Sequence, residues 1–149
     1  MINRKKPVHG VKIEFDSPTI VFVTVCTKSK KRWLATDEVH KTLVSIWGRS
    51  EDWRVGRYVL MPDHLHLFAS PVQIDSSLES WVRYWKAHYS RCDYNPDHRW
   101  QDSHWDRRIR SDESYEQKWG YVRNNPLRAG LVSNPDEWPF QGELNILRW

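Results

Sequence analysis

Apolar and polar residues alternate in four segments of this 149-residue chain, which is the pattern of half-buried β-strands. These segments are TIVFVTVCT (19–27), WRVGRYVLM (53–61), HLHLFAS (64–70) and HWDRRIR (104–110). Met61-Pro62-Asp63 makes a turn between the second and the third, because proline presets its own φ and moves the preceding residue away from helix. Residues 53–70 are therefore predicted to form a β-hairpin.

Apolar residues recur every three to four positions in three further segments, which predicts helices. The first helix begins after a Thr36 cap, and the second covers residues 78–89. The third is predicted to be capped by Ser111 or Asp112 and to end near Asn124, before a proline. The order β-α-β-β-α-β with an added C-terminal helix predicts an α+β protein. Its ferredoxin-like antiparallel sheet should carry helices on one face and leave the other face uncovered.

One domain is expected for a chain of this length. Its predicted parts are a basic arm (1–18), a ferredoxin-like core (19–110), a helix that carries a tyrosine (111–125) and a C-terminal tail (126–149). The net charge of +4 is compatible with a polyanionic partner. Two cysteines give no disulfide framework, and no apolar run reaches the roughly 20 residues that span a membrane. A cytoplasmic protein is expected.

Two histidines interrupt the apolar pattern of the predicted third strand. Side chains alternate between the two faces of a strand, so His64, His66 and Phe68 should face away from the helices while Leu65 and Leu67 face them. The two histidines would stand about 7 Å apart at their Cα atoms, from a rise of ~3.3 Å per residue. Two imidazoles at that separation can share one metal ion. The alternative interpretation is a pair of polar residues on a half-exposed strand.

Two stretches taken together, YVLMPDHLHLF and WQDSHWDRRIRSDESYEQKWGYVRNNPLRAGLV, resemble the single-tyrosine HUH transposases, where HUH denotes His-hydrophobic-His. Within that superfamily the chain is most similar to the REP-associated tyrosine transposases, relatives of the IS200-like transposases. The similarity reaches from the first strand to about Val132. The motif that carries it is His64-Leu65-His66 with the helix that ends in Asn-Pro-x-x-Ala-Gly-Leu-Val.

The resemblance implies a bacterial enzyme that cleaves and joins single-stranded DNA, often beside a hairpin or REP-like repeat in the nucleoid. It implies a divalent cation, Mg²⁺ or Mn²⁺, and a tyrosine hydroxyl that attacks a phosphodiester. That attack leaves a 5′-phosphotyrosine link and a free 3′-OH, and its reversal on another 3′-OH transfers the strand. A monomer is expected, with a dimer as the alternative.

By its place in the motif, Tyr115 is the nucleophile that the resemblance implies. Tyr121 is the rival, and because it lies six residues further, about 240° around a helix, the two cannot both face one site. Lys118, one turn after Tyr115, could supply a positive charge for the reaction.

The sequence offers more than one candidate for a third metal ligand. Some relatives supply a glutamine one turn after the tyrosine, and here the position one turn after Tyr115 is Trp119. Gln117 points about 200° away on the helix and is a weak substitute. Asp106 is the better candidate if its strand borders the site, and His104 would share its face.

Basic residues near the predicted site are expected to contact DNA phosphates. They are Arg83, Lys86, Arg107, Arg108, Arg110 and Arg123. Trp100 and Trp105 could stack on bases or pack in the core. A catalytically weak, domesticated relative that only binds a DNA or RNA hairpin is the alternative function. A metal-dependent hydrolase unrelated to DNA would explain the histidines but not the basic clusters or the tyrosine helix.

Overall fold

The computed structural model of the chain describes residues 19–73, 75–109 and 114–148. The predicted basic arm (1–18), the predicted DNA contact Arg110 and the first residues of the predicted last helix lie outside the described residues. None of the described helices is long and apolar enough to cross a membrane.

The strands and helices follow the predicted order up to the fourth strand, and further elements come after it. The strands are β1 (Val21–Cys26), β2 (Trp53–Leu60), β3 (His64–Pro71), β4 (Trp105–Arg108) and β5 (Gln141–Glu143). The helices are α1 (Asp37–Gly48), α2 (Leu78–Cys92), α3 (Tyr115–Arg123) and the single turn α4 (Asn125–Arg128). Short 3-10 turns cover Lys28–Lys30 and Pro135–Glu137.

The described strands form one antiparallel sheet in the order β4-β1-β3-β2-β5. The β2–β3 hairpin is present as predicted, and β3 is the central strand. The predicted α+β, ferredoxin-like arrangement is confirmed. The edge strand β5 was not predicted, because Gln-Gly-Glu has none of the β-branched or aromatic residues that mark a strand.

Helix starts follow from side-chain caps. The Thr36 hydroxyl accepts a hydrogen bond from the Val39 N–H, as predicted for the first turn of α1. Helix α3 begins at Tyr115 with Ser114 as its cap, and the predicted caps Ser111 and Asp112 lie outside the described residues. The Ser114 hydroxyl accepts a hydrogen bond from the N–H of Gln117, the third residue of the helix.

Each sheet face has its own apolar cluster. On one face, Leu65, Leu67 and Ala69 of β3 pack in the main core beneath α1 and α2. On the other face, Phe68 packs with residues of α3 and of the C-terminal tail, including Trp138. The Trp138 indole N–H donates to the Leu60 carbonyl at 2.9 Å, so the tail is tied to β2. The expectation of a wholly uncovered face was therefore wrong, because the C-terminal segment covers its β2 side.

A tight contact at Gly56 joins the sheet to this C-terminal cover. The β2–β3 register shifts between Val55 and Tyr58, and Gly56 lies within the shift. A methyl group at Gly56 would come within 2.6 Å of Leu147 Cδ1 and 2.7 Å of Tyr115 Oη. Both distances are shorter than a van der Waals contact, so any larger residue at this position must displace the Leu147 and Tyr115 side chains.

We expect Gly56→Ala to lower the free energy of unfolding by about 1–3 kcal/mol, because an overpacked side chain must displace its neighbours. Gly48→Ala is the matched control: nothing lies within 4 Å of its added methyl group, and it lies in the last turn of α1. That change should leave stability equal or raise it by up to about 1 kcal/mol. Urea unfolding of both variants measures the difference, and equal stabilities would contradict the packing described here.

Candidate active site

The two histidines of β3 point away from α1 and α2, as predicted. Leu65 and Leu67 between and beyond them are fully buried in the main core, while His64 and His66 share the opposite face with Phe68. The two imidazole centroids lie 4.9 Å apart, with their planes at 76°. This face of the sheet, around the two imidazoles, is called the histidine face below.

Hydrogen bonds fix the orientation of both rings through their Nδ1 atoms. The His64 Nδ1 lies 2.8 Å from an Asp63 carboxylate oxygen, and the His66 Nδ1 lies 2.8 Å from the Thr24 hydroxyl. Phe22 stacks on His66 at 5.2 Å between centroids. Within the described part of the chain, neither Nε2 atom has a hydrogen-bond partner. Both Nε2 atoms are therefore available to a ligand, with their other nitrogens held as in many metal sites.

Burial keeps the His66 imidazole neutral. Burial, together with the smaller effect of positive charge at His64, Lys118 and Arg128, lowers the pKa of His66 to about 3. A neutral imidazole is the form that binds metal ions, because its unprotonated nitrogen supplies the lone pair.

Cationic side chains from α3 and α4 lie beside these rings. The Lys118 ammonium is 5.0 Å from the Phe22 ring centroid and 5.9 Å from the Tyr121 ring centroid. The Arg128 guanidinium lies 4.1 Å from the Tyr121 ring centroid. Because Phe22 stacks on His66, Lys118 lies on the histidine face, and Arg128 contacts the same Tyr121 ring as Lys118. Lys118 was predicted at the site, whereas Arg128 was not, although it belongs to the quoted Asn-Pro-x-x-Ala-Gly segment.

Tyr115 does not present its hydroxyl to the histidines. Its Oη accepts a hydrogen bond from the Arg57 backbone N–H at 3.1 Å, and its ring packs edge-on against Phe68. The Arg57 guanidinium lies 5.1 Å from the ring centroid. Burial raises the pKa of the Tyr115 hydroxyl to about 12, although the Arg57 N–H and charge oppose the rise. The structure gives Tyr115 a packing role against β2 and does not support it as the nucleophile.

Tyr121 has the opposite environment. Its side chain is 63% exposed, and the cations Lys118 and Arg128 lie against its ring. The sequence indicated that only one of the two tyrosines could face the site. Which one does so depends on contacts with Phe68 and Arg57 that helical periodicity cannot reveal.

The predicted third ligand Asp106 lies on the wrong face of the sheet. In the β1–β4 register it is opposite Val23, which is buried in the main core beneath the helices. Its Oδ2 lies 3.0 Å from His104 Nε2, so the two side chains lie together as their predicted shared face required, but away from the histidine face. The described residues contain no group of three His, Cys, Asp or Glu side chains that could hold a metal ion.

Two of the predicted DNA contacts are on α2, on the helix side of the sheet. The Lys86 ammonium donates to the carbonyls of Gln101 and Asp102, at 2.7 and 3.3 Å, and so holds the loop before β4. Arg83 lies 3.6 Å from Glu79 in an exposed ion pair. Both residues belong to a helix on the opposite side of the sheet from the imidazoles, and their contact with DNA stays a prediction.

The remaining predicted contacts divide between the two faces. Arg107 is opposite Phe22 in the register and is exposed on the histidine face, while Arg108 is opposite Val21 and turns to the helix face. Arg123 is paired with Asp136. Sequence reasoning also missed a basic groove beside α2, where Lys28, Arg83, Lys86 and Arg99 lie around Trp100 and Gln101.

No family model matches the chain. In sequence it is 24% identical over 123 residues to the REP-associated tyrosine transposase of Escherichia coli, which covers 80% of this chain and 73% of that one. It is 21% identical over 142 residues to a candidate REP-associated tyrosine transposase of Haemophilus influenzae, covering 85% and 81%.

Solved structures of tyrosine and other transposases resemble the chain in fold. A REP-associated tyrosine transposase bound to a REP hairpin superposes with a TM-score of 0.75, at 21% identity, over 95% of this chain and 81% of that one. A candidate transposase of Deinococcus radiodurans superposes with a TM-score of 0.53, at 17% identity, over 76% and 95%. The class of protein that the chain resembles is the tyrosine transposases. Within it, the resemblance in sequence and in fold is to the REP-associated tyrosine transposases.

We expect the two tyrosines to differ sharply in their effect on stability. Tyr115→Phe removes the acceptor of the Arg57 N–H and should lower the free energy of unfolding by about 1–3 kcal/mol, because the amide is left unpaired. Tyr121→Phe removes an exposed hydroxyl and should change it by no more than about 0.5 kcal/mol. Chemical denaturation of both variants measures this, and an equal loss would argue against the buried role of Tyr115.

Proposed function

We propose that this protein cleaves single-stranded DNA beside a hairpin or REP-like repeat and transfers the cleaved strand, with Tyr121 as the nucleophile. The observation that carries the proposal is the pair of imidazoles with available Nε2 atoms on the same face as Tyr121 and its two cations. The relatives named as tyrosine transposases and the solved complex with a REP hairpin support the class of reaction and the type of substrate.

Tyr121 replaces Tyr115 in this proposal because a nucleophile must reach the substrate. The Tyr115 hydroxyl is buried and hydrogen-bonded to β2, whereas Tyr121 is exposed beside Lys118 and Arg128. The two positive charges would stabilise the additional negative charge that develops on the phosphate as it is attacked.

The choice of Tyr121 also supplies a candidate third metal ligand. The resemblance implies a side-chain amide one helical turn after the tyrosine, and Asn125 lies one turn after Tyr121. The Asn125 Oδ1 accepts a hydrogen bond from Arg128, the cation that also acts on His66. The proposed ligands are therefore His64 Nε2, His66 Nε2 and Asn125 Oδ1. The resemblance implies Mn²⁺ or Mg²⁺ at these residues, and such an ion would supply a Lewis acid for the phosphate under attack.

The chain's own groups would carry out a two-step exchange. The Tyr121 Oη bonds to phosphorus as the bond from phosphorus to the 3′ oxygen breaks, and the phenol proton passes to water while the leaving oxygen takes a proton. The product is a 5′-phosphotyrosine and a free 3′-OH. Attack by another 3′-OH reverses the step and frees the tyrosine, so no external energy source is needed.

A protein that binds a nucleic-acid hairpin, DNA or RNA, without cleaving it is the second candidate function. It is favoured because the described residues contain no group of three His, Cys, Asp or Glu side chains that could hold a metal ion. Stable hairpin binding with no covalent product in Mn²⁺ would support this function.

We expect Tyr121→Phe to abolish a covalent protein–DNA adduct, because no other exposed hydroxyl would occupy its place. The substrate is a 3′-labelled single strand from the repeats that flank the gene, with Mn²⁺, resolved on a denaturing gel. A label at the 3′ end stays with the fragment that carries the 5′-phosphotyrosine.

Tyr115→Phe is the matched control and should keep the adduct. An adduct that survives in Tyr121→Phe and disappears in Tyr115→Phe would restore Tyr115 as the nucleophile. A wild-type protein that forms no adduct under these conditions would favour the binding function.

We expect the histidines to determine Mn²⁺ affinity. The double change His64→Ala and His66→Ala should remove Mn²⁺ binding, and Thr24→Val should weaken it by about 10- to 100-fold because His66 loses the hydroxyl that orients it. His88→Ala, on α2 across the sheet, is the control and should bind as the wild type does. Titration calorimetry with Mn²⁺ alone measures the affinities. Unchanged binding in the double variant would rule out this metal site.

A further inference from the structure

One row of side chains crosses the histidine face at the level of His66. The strand registers place Trp105 opposite Thr24, and Thr24 opposite His66. Residues directly opposite in antiparallel strands point to the same face, so the Trp105 indole stands on the histidine face. Neighbouring strands are about 4.8 Å apart, which puts the Cα of Trp105 about 10 Å from that of His66.

Trp105 is unusual among the tryptophans that the structure describes because half of it is exposed. Its exposed fraction is 50%, while the tryptophans of the main core are at most 8% exposed. A single exposed aromatic residue needs no explanation by itself. The position of Trp105 does need an explanation, because the residue lies beside the imidazoles, on the part of the histidine face that the C-terminal segment leaves open.

The surroundings of Trp105 favour a polyanion as its partner. Arg107 lies two residues further along β4 on the same face, and the cations Lys118 and Arg128 lie against the rings of Phe22 and Tyr121. An exposed indole with nearby cations is the combination that binds unpaired nucleotides, because every base presents a flat aromatic surface and every linkage a phosphate. Bases within a duplex are already stacked on each other and have no free surface to offer.

We propose that Trp105 is a stacking platform for one unpaired base of the DNA strand, close to the phosphate that Tyr121 attacks. The proposal rests on the proposed function and adds to it a subsite for the flanking base. At a stacked rise of about 3.4 Å per nucleotide, the 10 Å between the two Cα positions corresponds to a base no more than about three nucleotides from that phosphate.

The test measures equilibrium binding to a single-stranded oligonucleotide without a stem that contains the cleavage junction, using the Tyr121→Phe protein so that no cleavage occurs. Trp105→Ala in that protein should weaken binding by about 5- to 100-fold, and Trp105→Phe should keep most of the affinity. Tyr84→Ala is the control, because Tyr84 is 60% exposed on α2, across the sheet. It should leave binding unchanged.

Abasic nucleotides placed one at a time within three positions of the junction identify the stacked base. At one position, the abasic nucleotide should weaken binding to the parent protein. It should not weaken binding to Trp105→Ala any further, because both changes remove the same stacking contact. The proposal is overturned if Trp105→Ala binds as the parent does, or if no abasic position weakens binding to the parent. Adduct formation by the wild-type protein is measured separately. If it forms no adduct while the binding results for Trp105 are as expected, only the proposed cleavage is rejected.

Discussion

The alternation of side chains along the central strand β3 is the constraint on which the rest of the structure depends. Leu65 and Leu67 point into the main core, and His64 and His66 point to the opposite face. A shift of one residue in register would exchange these sets, exposing two leucines and burying two imidazoles under the helices. Each leucine would forfeit about 1.5–3 kcal/mol of burial, and each imidazole would lose its polar partner. The core therefore holds the histidines in place.

Helix α3 links the packed half of the histidine face to its open half. Tyr115 and Val122 are buried in the cluster around Phe68 and fix the helix against β2. With that side fixed, the positions at 118, 121 and 125 form a second stripe, spaced by three and four residues, along another side of the helical segment. The residues that stabilise the helix and those proposed to react are therefore different, and both are set by a single docking geometry.

The order of strands and helices, the hairpin and the direction of the histidines could be predicted because they follow from local periodicity. The sheet face on which Asp106 lies could not be predicted, because it depends on which residue of β1 pairs with it in a strand only four residues long. Periodicity separated Tyr115 from Tyr121 by about 240° but could not say which one would pack on Phe68. Strand β5 was also hidden, because its three residues pair with β2 where the anchored tail brings them.

The distribution of charged side chains also favours a polyanion at the histidine face. The carboxylate of Asp63 is engaged by His64, and that of Glu116 by the Arg57 guanidinium at 2.8 Å. Asp106 is buried on the helix face of the sheet. A phosphodiester that approaches Tyr121 therefore meets the positive charges of α3 and α4 with little repulsion from these carboxylates. The same register that removes Asp106 from the imidazoles also removes its negative charge from the path of the DNA.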